Sequence, residues 1–188
     1  PTVYKVVPIK GAGLGLVATS DIVAGAVILR ERPLVLVPRA YNMRSMNEGT
    51  RTLVSAVNTM HPENQRLFYA LKNVEEGKTV ASEEEGILDT NAYTCGAHNG
   101  RYGGVARDVS RANHSCRPNA EHCFDTATLT QSLRAFRDIP AGEEITVTYI
   151  DWSLKCEERQ DRLRCRYSFN CTCKSCQLTG LERMESDL

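Results

Sequence analysis

The sequence predicts a mostly β fold that carries an α-helical insert and ends in a metal-bound tail. Three observations support this. Short runs rich in Val, Ile and Leu recur along the chain, separated by Gly, Pro and Asn turns. Between residues 45 and 75 the apolar period changes to a helical one: Leu53, Val54, Val57 and Met60, then Leu67, Phe68, Leu71 and Val74. Near the C-terminus three cysteines, Cys171, Cys173 and Cys176, fall within six residues.

The elements follow in order. Residues 2–9 read as a strand. The glycines of Lys10-Gly11-Ala12-Gly13-Leu14-Gly15-Leu16 imitate a dinucleotide fingerprint, but Leu16 stands where the last glycine belongs and no helical pattern follows. A hairpin turn, or a backbone loop that lets a ligand approach, remains. Ala26 to Val37, broken by Pro33, reads as two short strands or one bent strand. The helical period then gives a hairpin of modest length, with Pro62 at a first helical position. An acidic stretch over 75–89, set against Lys78, reads as a solvated loop and a helix start capped by Ser82. A glycine-rich loop at 96–104 precedes the central turn. Ala120–Phe124 and Leu129–Phe136 are strands joined by a turn, Ile145–Tyr149 is a half-buried strand ending in a tyrosine, and a short helix follows Ser153. Asp21 to Ile28 echoes Asp138 to Ile145, which reads as one turn chemistry used twice.

At 188 residues and 41% hydrophobic, the chain suits one domain, or one domain with an appendage, around a normal core. Its 23 basic and 23 acidic side chains cancel, so nothing marks the whole chain for nucleic acid. No apolar run is long enough to cross a bilayer, and no signal-peptide pattern is present. Pro1 rather than Met stands first, as expected of a piece excised from a longer protein, so signals and domains of the parent lie beyond its reach. The eight cysteines are clustered rather than spread, which favours a metal site in a reducing compartment over a disulfide framework.

Cys171-x-Cys173-x-x-Cys176 supplies three thiolates, and a closed zinc tetrahedron needs a fourth ligand. Cys95, Cys116, Cys123, Cys156, Cys165 and the histidines at 61, 98, 114 and 122 are the candidates. Asn113-His-Ser-Cys-Arg-Pro-Asn119 is a rigid turn dense in hydrogen-bonding and metal-binding groups, because Pro118 fixes its own φ and pushes Arg117 out of the α region. Tyr149, Tyr167 and Phe169, taken alone, read as core aromatics.

Together, Gly11-Ala-Gly-Leu14, Asn91-Ala-Tyr93, Asn113–Asn119, Gly142-Glu-Glu-Ile-Thr-Val-Thr-Tyr149 and the Cys-x-Cys-x-x-Cys segment stand in the order of a SET-domain protein lysine methyltransferase with a post-SET zinc segment. The resemblance spans essentially the whole chain. It is strongest to the SET and MYND branch and to fungal-type SET proteins, but with no cysteine between Val37 and Tyr93 there is no MYND finger here. It implies a β-clip-like SET fold of small sheets over residues 1–152, a helical insert at about 40–90, and a zinc-bound post-SET segment at 153–188.

The resemblance also implies roles. The cofactor is S-adenosylmethionine, approached by Gly11, Ala12 and Gly13 and bound by Asn113 through its amide, His114 largely by backbone, Tyr149, and Phe169 by packing. Ala12 stands where the family usually has a polar or basic residue, so a weaker grip is expected. Tyr149 and Tyr167 are the catalytic residues; Tyr93, Val147 and Tyr167 line the substrate channel, with Val147 where the family tunes methylation number. Cys116 joins Cys171, Cys173 and Cys176 on one structural zinc. The expected partner is a protein or peptide carrying a target lysine, histone or otherwise, met by a monomer in nucleus or cytoplasm with no direct nucleic-acid or membrane contact. A zinc-stabilised SET-fold binding module that recruits partners is the alternative, motivated by Ala12 and the acidic insert.

Overall fold

The computed structural model describes residues 2–38, 46–77, 82–96 and 102–186. Lys78, His98, Gly100 and part of the glycine-rich loop, which the sequence reading singled out, lie outside the described residues. The chain forms two compact units. Unit 1 comprises 1–28, 112–121 and 134–188; unit 2 comprises 29–111 and 122–133.

In unit 1, β1 (Tyr4–Ile9) and β2 (Gly13–Ala18) form an antiparallel hairpin paired from Tyr4↔Ala18 to Ile9↔Gly13. Gly11 and Gly13 take positive φ values of 78° and 79° at its turn, which glycine adopts without a Cβ penalty. β10 (Glu144–Val147) pairs antiparallel with β2. Its other edge pairs in parallel with the two-residue β7 (Asn113–His114), giving the order β1-β2-β10-β7. Asn119, 1% exposed, braces β10: its amide donates to the Glu144 carbonyl and accepts from the Thr146 N–H, both at 2.8 Å. α4 (Cys156–Tyr167) and α5 (Gly180–Ser186) complete the unit. The helix expected after Ser153 begins only at Cys156, because the Ser153 hydroxyl turns back to Asp151 while Glu158 accepts from the Lys155 N–H.

The sequence echo has a structural meaning that repeated turn chemistry does not capture. The two segments bind each other reciprocally. Ile22 and Ile139 exchange both backbone hydrogen bonds at 2.9 Å. Asp138 Oδ1 accepts from the Ala24 N–H and Asp21 Oδ1 from the Ala141 N–H, each at 2.8 Å. The Gly25 N–H reaches the Ala135 carbonyl as the Gly142 N–H reaches that of Ala18, a local two-fold at a constant offset of 117 residues (142 minus 25, 135 minus 18).

In unit 2, β4 (Val35–Pro38), β6 (Tyr102–Val105) and β5 (Tyr93–Cys95) form an antiparallel sheet in the order β4-β6-β5. α1 (Met46–Asn58), α2 (Pro62–Tyr69) and α3 (Glu83–Asn91) supply the rest of the core, where Leu53, Val57, Phe68 and Ile87 meet Val35, Val37 and Val105. The helical pattern runs to Val74, but α2 stops at Tyr69. Side chains of α3 claim the backbone beyond it: Asn91 Nδ2 donates to the Lys72 carbonyl at 2.7 Å, and Thr90 Oγ1 accepts from the Val74 N–H at 3.1 Å. Leu71 stays buried past the helix end, its N–H turned to the Phe68 carbonyl at 3.1 Å. Of the two readings of this stretch, the structure takes two short strands, β3 (Val27–Glu31) and β4, on either side of Pro33. The strands on either side of the Asp125 turn are β8 (Ala120–Asp125) and β9 (Thr130–Ala135), which form a second three-stranded sheet in the order β3-β9-β8.

Candidate functional site

The site in unit 1 grows from the β7–β10 pair. Parallel pairing sets Asn113 beside Thr146 and His114 beside Val147. The Ser115 N–H then donates to the Val147 carbonyl at 2.9 Å, and the ladder ends. Tyr149 is therefore not the last residue of the strand, as its sequence pattern suggests. β7 is only two residues long and the chain leaves it toward Pro118, so main-chain partners run out at Val147.

Tyr149 is held at both ends by the segment leading into the central turn. Its N–H donates to His114 Nδ1 at 3.0 Å, and its hydroxyl donates to the Ala112 carbonyl at 2.8 Å. Its ring lies 4.9 Å from that of Tyr167 and 5.4 Å from the His114 imidazole. Phe169 stands 6.2 Å from the same imidazole. Burial, then the neighbouring Tyr167, raises the Tyr149 phenol above its ordinary value, and burial does the same at Tyr167 against the opposing pull of Arg166. Both phenols stay protonated at neutral pH. Burial also pushes His114 down to about 4, so its ring is neutral.

The glycine loop meets the turn through Asn113, whose Nδ2 donates to Glu144 Oε1 at 2.9 Å and toward the Leu14 carbonyl at 3.4 Å. A Cβ built on Gly11 or Gly13 would meet no atom within 4 Å, so the backbone there is open to a ligand, and Ala12 between them is exposed.

The fourth thiol is settled by position. The sulfurs of Cys116, Cys171, Cys173 and Cys176 all lie within 4.8 Å of one another. Cys116 Sγ is 3.9 Å from Cys171 Sγ and 3.5 Å from Cys176 Sγ. A zinc tetrahedron with Zn–S near 2.3 Å has edges of about 3.8 Å, so the donor set fits the metal. Hydrogen bonding among the sulfurs, first between Cys116 and its neighbours Cys171 and Cys173, drives Cys116 above and Cys173 below the ordinary thiol value. Four thiols this close cannot all ionise by themselves; a divalent cation lets them. Among the described residues, several of the other candidates are placed otherwise. Cys95 accepts from Gln131, His61 caps α2, His122 stacks on Tyr93, Cys165 is exposed, and Cys156 packs behind the cluster.

Val147 is 2% exposed in unit 1. Tyr93 belongs to unit 2, where its ring stacks on His122 at 4.4 Å. Sequence reasoning missed two partners. The Ala112 carbonyl is main chain and leaves no trace in the sequence. Arg159 is only 3% exposed; burial opposes its charge, but the nearby sulfurs, Cys116 first, more than offset that and hold the guanidinium charged. No signal in the sequence singles it out from Arg162, Arg164 and Arg166 on the same helix.

Residues 13–150 match the SET domain family model. The histone-lysine N-methyltransferase set5 of Schizosaccharomyces pombe is 33% identical over 176 residues, 94% of this chain and 51% of that protein. The human histone-lysine N-methyltransferase SMYD3 is 43% identical over 89 residues, 46% of this chain and 20% of that protein. The chain thus spans about half the length, or less, of these curated relatives. The crystal structure of the SET domain of LSMT bound to lysine and AdoHcy shares the fold at a TM-score of 0.57 and 15% identity, over 90% of this chain and 53% of that one. Because the family model matches residues 13–150, well over half of the chain, the chain belongs to the SET-domain family.

Proposed function

We propose that this chain transfers a methyl group from S-adenosylmethionine to the side-chain amine of a lysine in a protein substrate, a histone among the candidates, in the nucleus or cytoplasm. The observation that carries the reading is Tyr149, tied at 3.0 Å to His114 and at 2.8 Å to Ala112, with Tyr167 beside it and the open glycine loop in the same unit. The relatives named as lysine methyltransferases support it.

The cofactor supplies an electrophilic methyl on a sulfonium. The chain's residues align and desolvate the acceptor. The loop at Gly11, Ala12 and Gly13, with Asn113, His114 and Phe169, holds the donor. Tyr149 and Tyr167 present neutral phenols and aromatic faces that suit a lysine stem and a methylated ammonium. A half-buried channel of this kind favours the uncharged amine, the form that can attack. Val147 closes the channel from β10; the assignment of Tyr93 rests on its motif Asn91-Ala-Tyr93 alone. Cys116, Cys171, Cys173 and Cys176 would hold one structural zinc, and 153–188 forms the post-SET segment that it pins down.

The test incubates the full chain with labelled S-adenosylmethionine and a lysine-containing peptide array, read by mass spectrometry. Tyr149→Phe removes the hydroxyl that fixes the ring to Ala112, and a misplacement of this sort costs about a hundredfold in rate. Equal labelling by both forms overturns the role of Tyr149. Calorimetry that detects no S-adenosylmethionine binding favours a recruiting module instead.

A further inference from the structure

The hydrogen bonds of His114 leave only one arrangement of its proton. The Tyr149 N–H donates to Nδ1, so Nδ1 carries a lone pair and the ring proton sits on Nε2. Nε2 lies 3.3 Å from Cys116 Sγ, so this N–H points at the sulfur. Cys116 is one corner of the four-sulfur cluster. A single imidazole therefore spans from a metal-binding sulfur to the backbone of Tyr149.

The strand ladder makes this span matter. Backbone pairing between the β10 segment and the central turn ends at the bond from the Ser115 N–H to the Val147 carbonyl. Two residues later, the N–H of Tyr149 is held by a side chain and not by a strand. The tyrosine hydroxyl is tied to Ala112. Residues 112 and 114 thus fix the backbone and the side-chain tip of one residue, and only the tie through His114 depends on anything beyond unit 1's sheet.

A thiolate held by a metal is a fixed acceptor for an N–H donor. Without the metal that sulfur is free to turn toward the other thiols, here those of Cys171 and Cys176. We propose that His114 is a positioning residue that couples occupancy of the four-cysteine site to the placement of Tyr149, donating from Nε2 to the Cys116 sulfur and accepting at Nδ1 from the Tyr149 amide. This rests on the methyl-transfer reading for its consequence, but not for its structural content. Loss of the metal frees the ring, and a freed ring releases the backbone of the catalytic tyrosine while the rest of the sheet stays paired.

Two variants separate the ends of the ring. His114→Asn places an amide oxygen near the position of Nδ1, keeping the acceptor for Tyr149 and losing the donor to Cys116. His114→Gln places an amide nitrogen near Nε2, keeping the donor and losing the acceptor. Three readouts follow on the full chain: the thiolate-to-cobalt charge-transfer band of the Co(II)-loaded protein with metal affinity by chelator competition, amide hydrogen exchange at Tyr149 and Ser115, and steady-state methyl transfer. We expect His114→Asn to shift the band and weaken the metal about ten- to a hundredfold, the usual effect of losing a partner of a metal ligand. His114→Gln should leave the band unchanged, speed exchange at Tyr149 at least tenfold with Ser115 still protected, and lower kcat more than KM. Chelation of the wild type should reproduce the exchange change. If both variants move both metal and exchange readouts together, or neither moves either, the ring is a packing group and the proposal fails. Absence of methyl transfer by the wild type sinks the functional reading alone; the exchange and cobalt readouts then still decide the coupling.

Discussion

Gly15 is where the glycine loop and the central turn press together. A Cβ at this position would stand 2.6 Å from Asn113 Nδ2, 2.6 Å from Ile9 Cγ1 and 3.0 Å from Glu144 Oε1. Asn113 cannot yield cheaply, since Glu144 already holds its amide at 2.9 Å. Gly15→Ala should therefore destabilise the chain by about 1–3 kcal/mol, the usual cost of overpacking, and weaken S-adenosylmethionine binding with it. Denaturant titration and calorimetry check the two effects; a variant unchanged in both would show that Asn113 has slack. Arg159 makes a different point at this scale. Four thiolates around a divalent cation carry an excess of two negative charges, and a guanidinium 3% exposed beside them offsets part of that. A buried charge is tolerated here because its partner is itself buried and charged.

At the scale of elements, α3 is the one whose start is written most completely. The Ser82 hydroxyl accepts from the Glu85 N–H at 3.2 Å, and the Glu85 carboxylate accepts from the Ser82 N–H at 3.0 Å. The same carboxylate takes the Thr50 hydroxyl of α1, so the cap also ties two helices. Ser82→Ala should cost about 1 kcal/mol, read as a fall in denaturation midpoint at unchanged slope. An unaltered midpoint would mean that Glu85 holds the start alone. Ser82 and Pro62 were legible in the sequence because caps and first-turn prolines are decided by chemistry within a few residues. The end of α2 was not legible, because it is set by Thr90 and Asn91, which reach Val74 and Lys72 from 16 and 19 residues away. For the same reason the motif Asn113–Asn119 and the cysteine spacing announced the site, while the Ala112 carbonyl and the imidazole span of His114 appeared only in three dimensions. The strand ending at Tyr149 failed similarly: alternation marks where a strand can run, not where its partner stops.

For the whole molecule, the connectivity is interleaved: unit 2 is entered twice from unit 1, and unit 1 is assembled from three separated stretches. The last stretch is tethered by the four cysteines, so metal removal should be felt as a fold-level change. Zinc ligands must be deprotonated to bind, so the metal's contribution to stability falls as pH falls. Chelation should lower the melting temperature clearly near neutral pH and progressively less toward acid. Scanning calorimetry with and without chelator at several pH values checks this, and a chelator effect that grows on acidification would contradict a thiolate site. The reciprocal pairing of Asp21–Ile28 with Asp138–Ile145 carries a further consequence, for the time course of folding. Closing a chain of 117 residues costs about 4 kcal/mol of entropy before any of those hydrogen bonds form. The first hairpin can form alone, but its place in the sheet stays empty until β10 arrives. During synthesis at roughly 5–20 residues per second, the N-terminal strands wait several seconds for the partner that completes them.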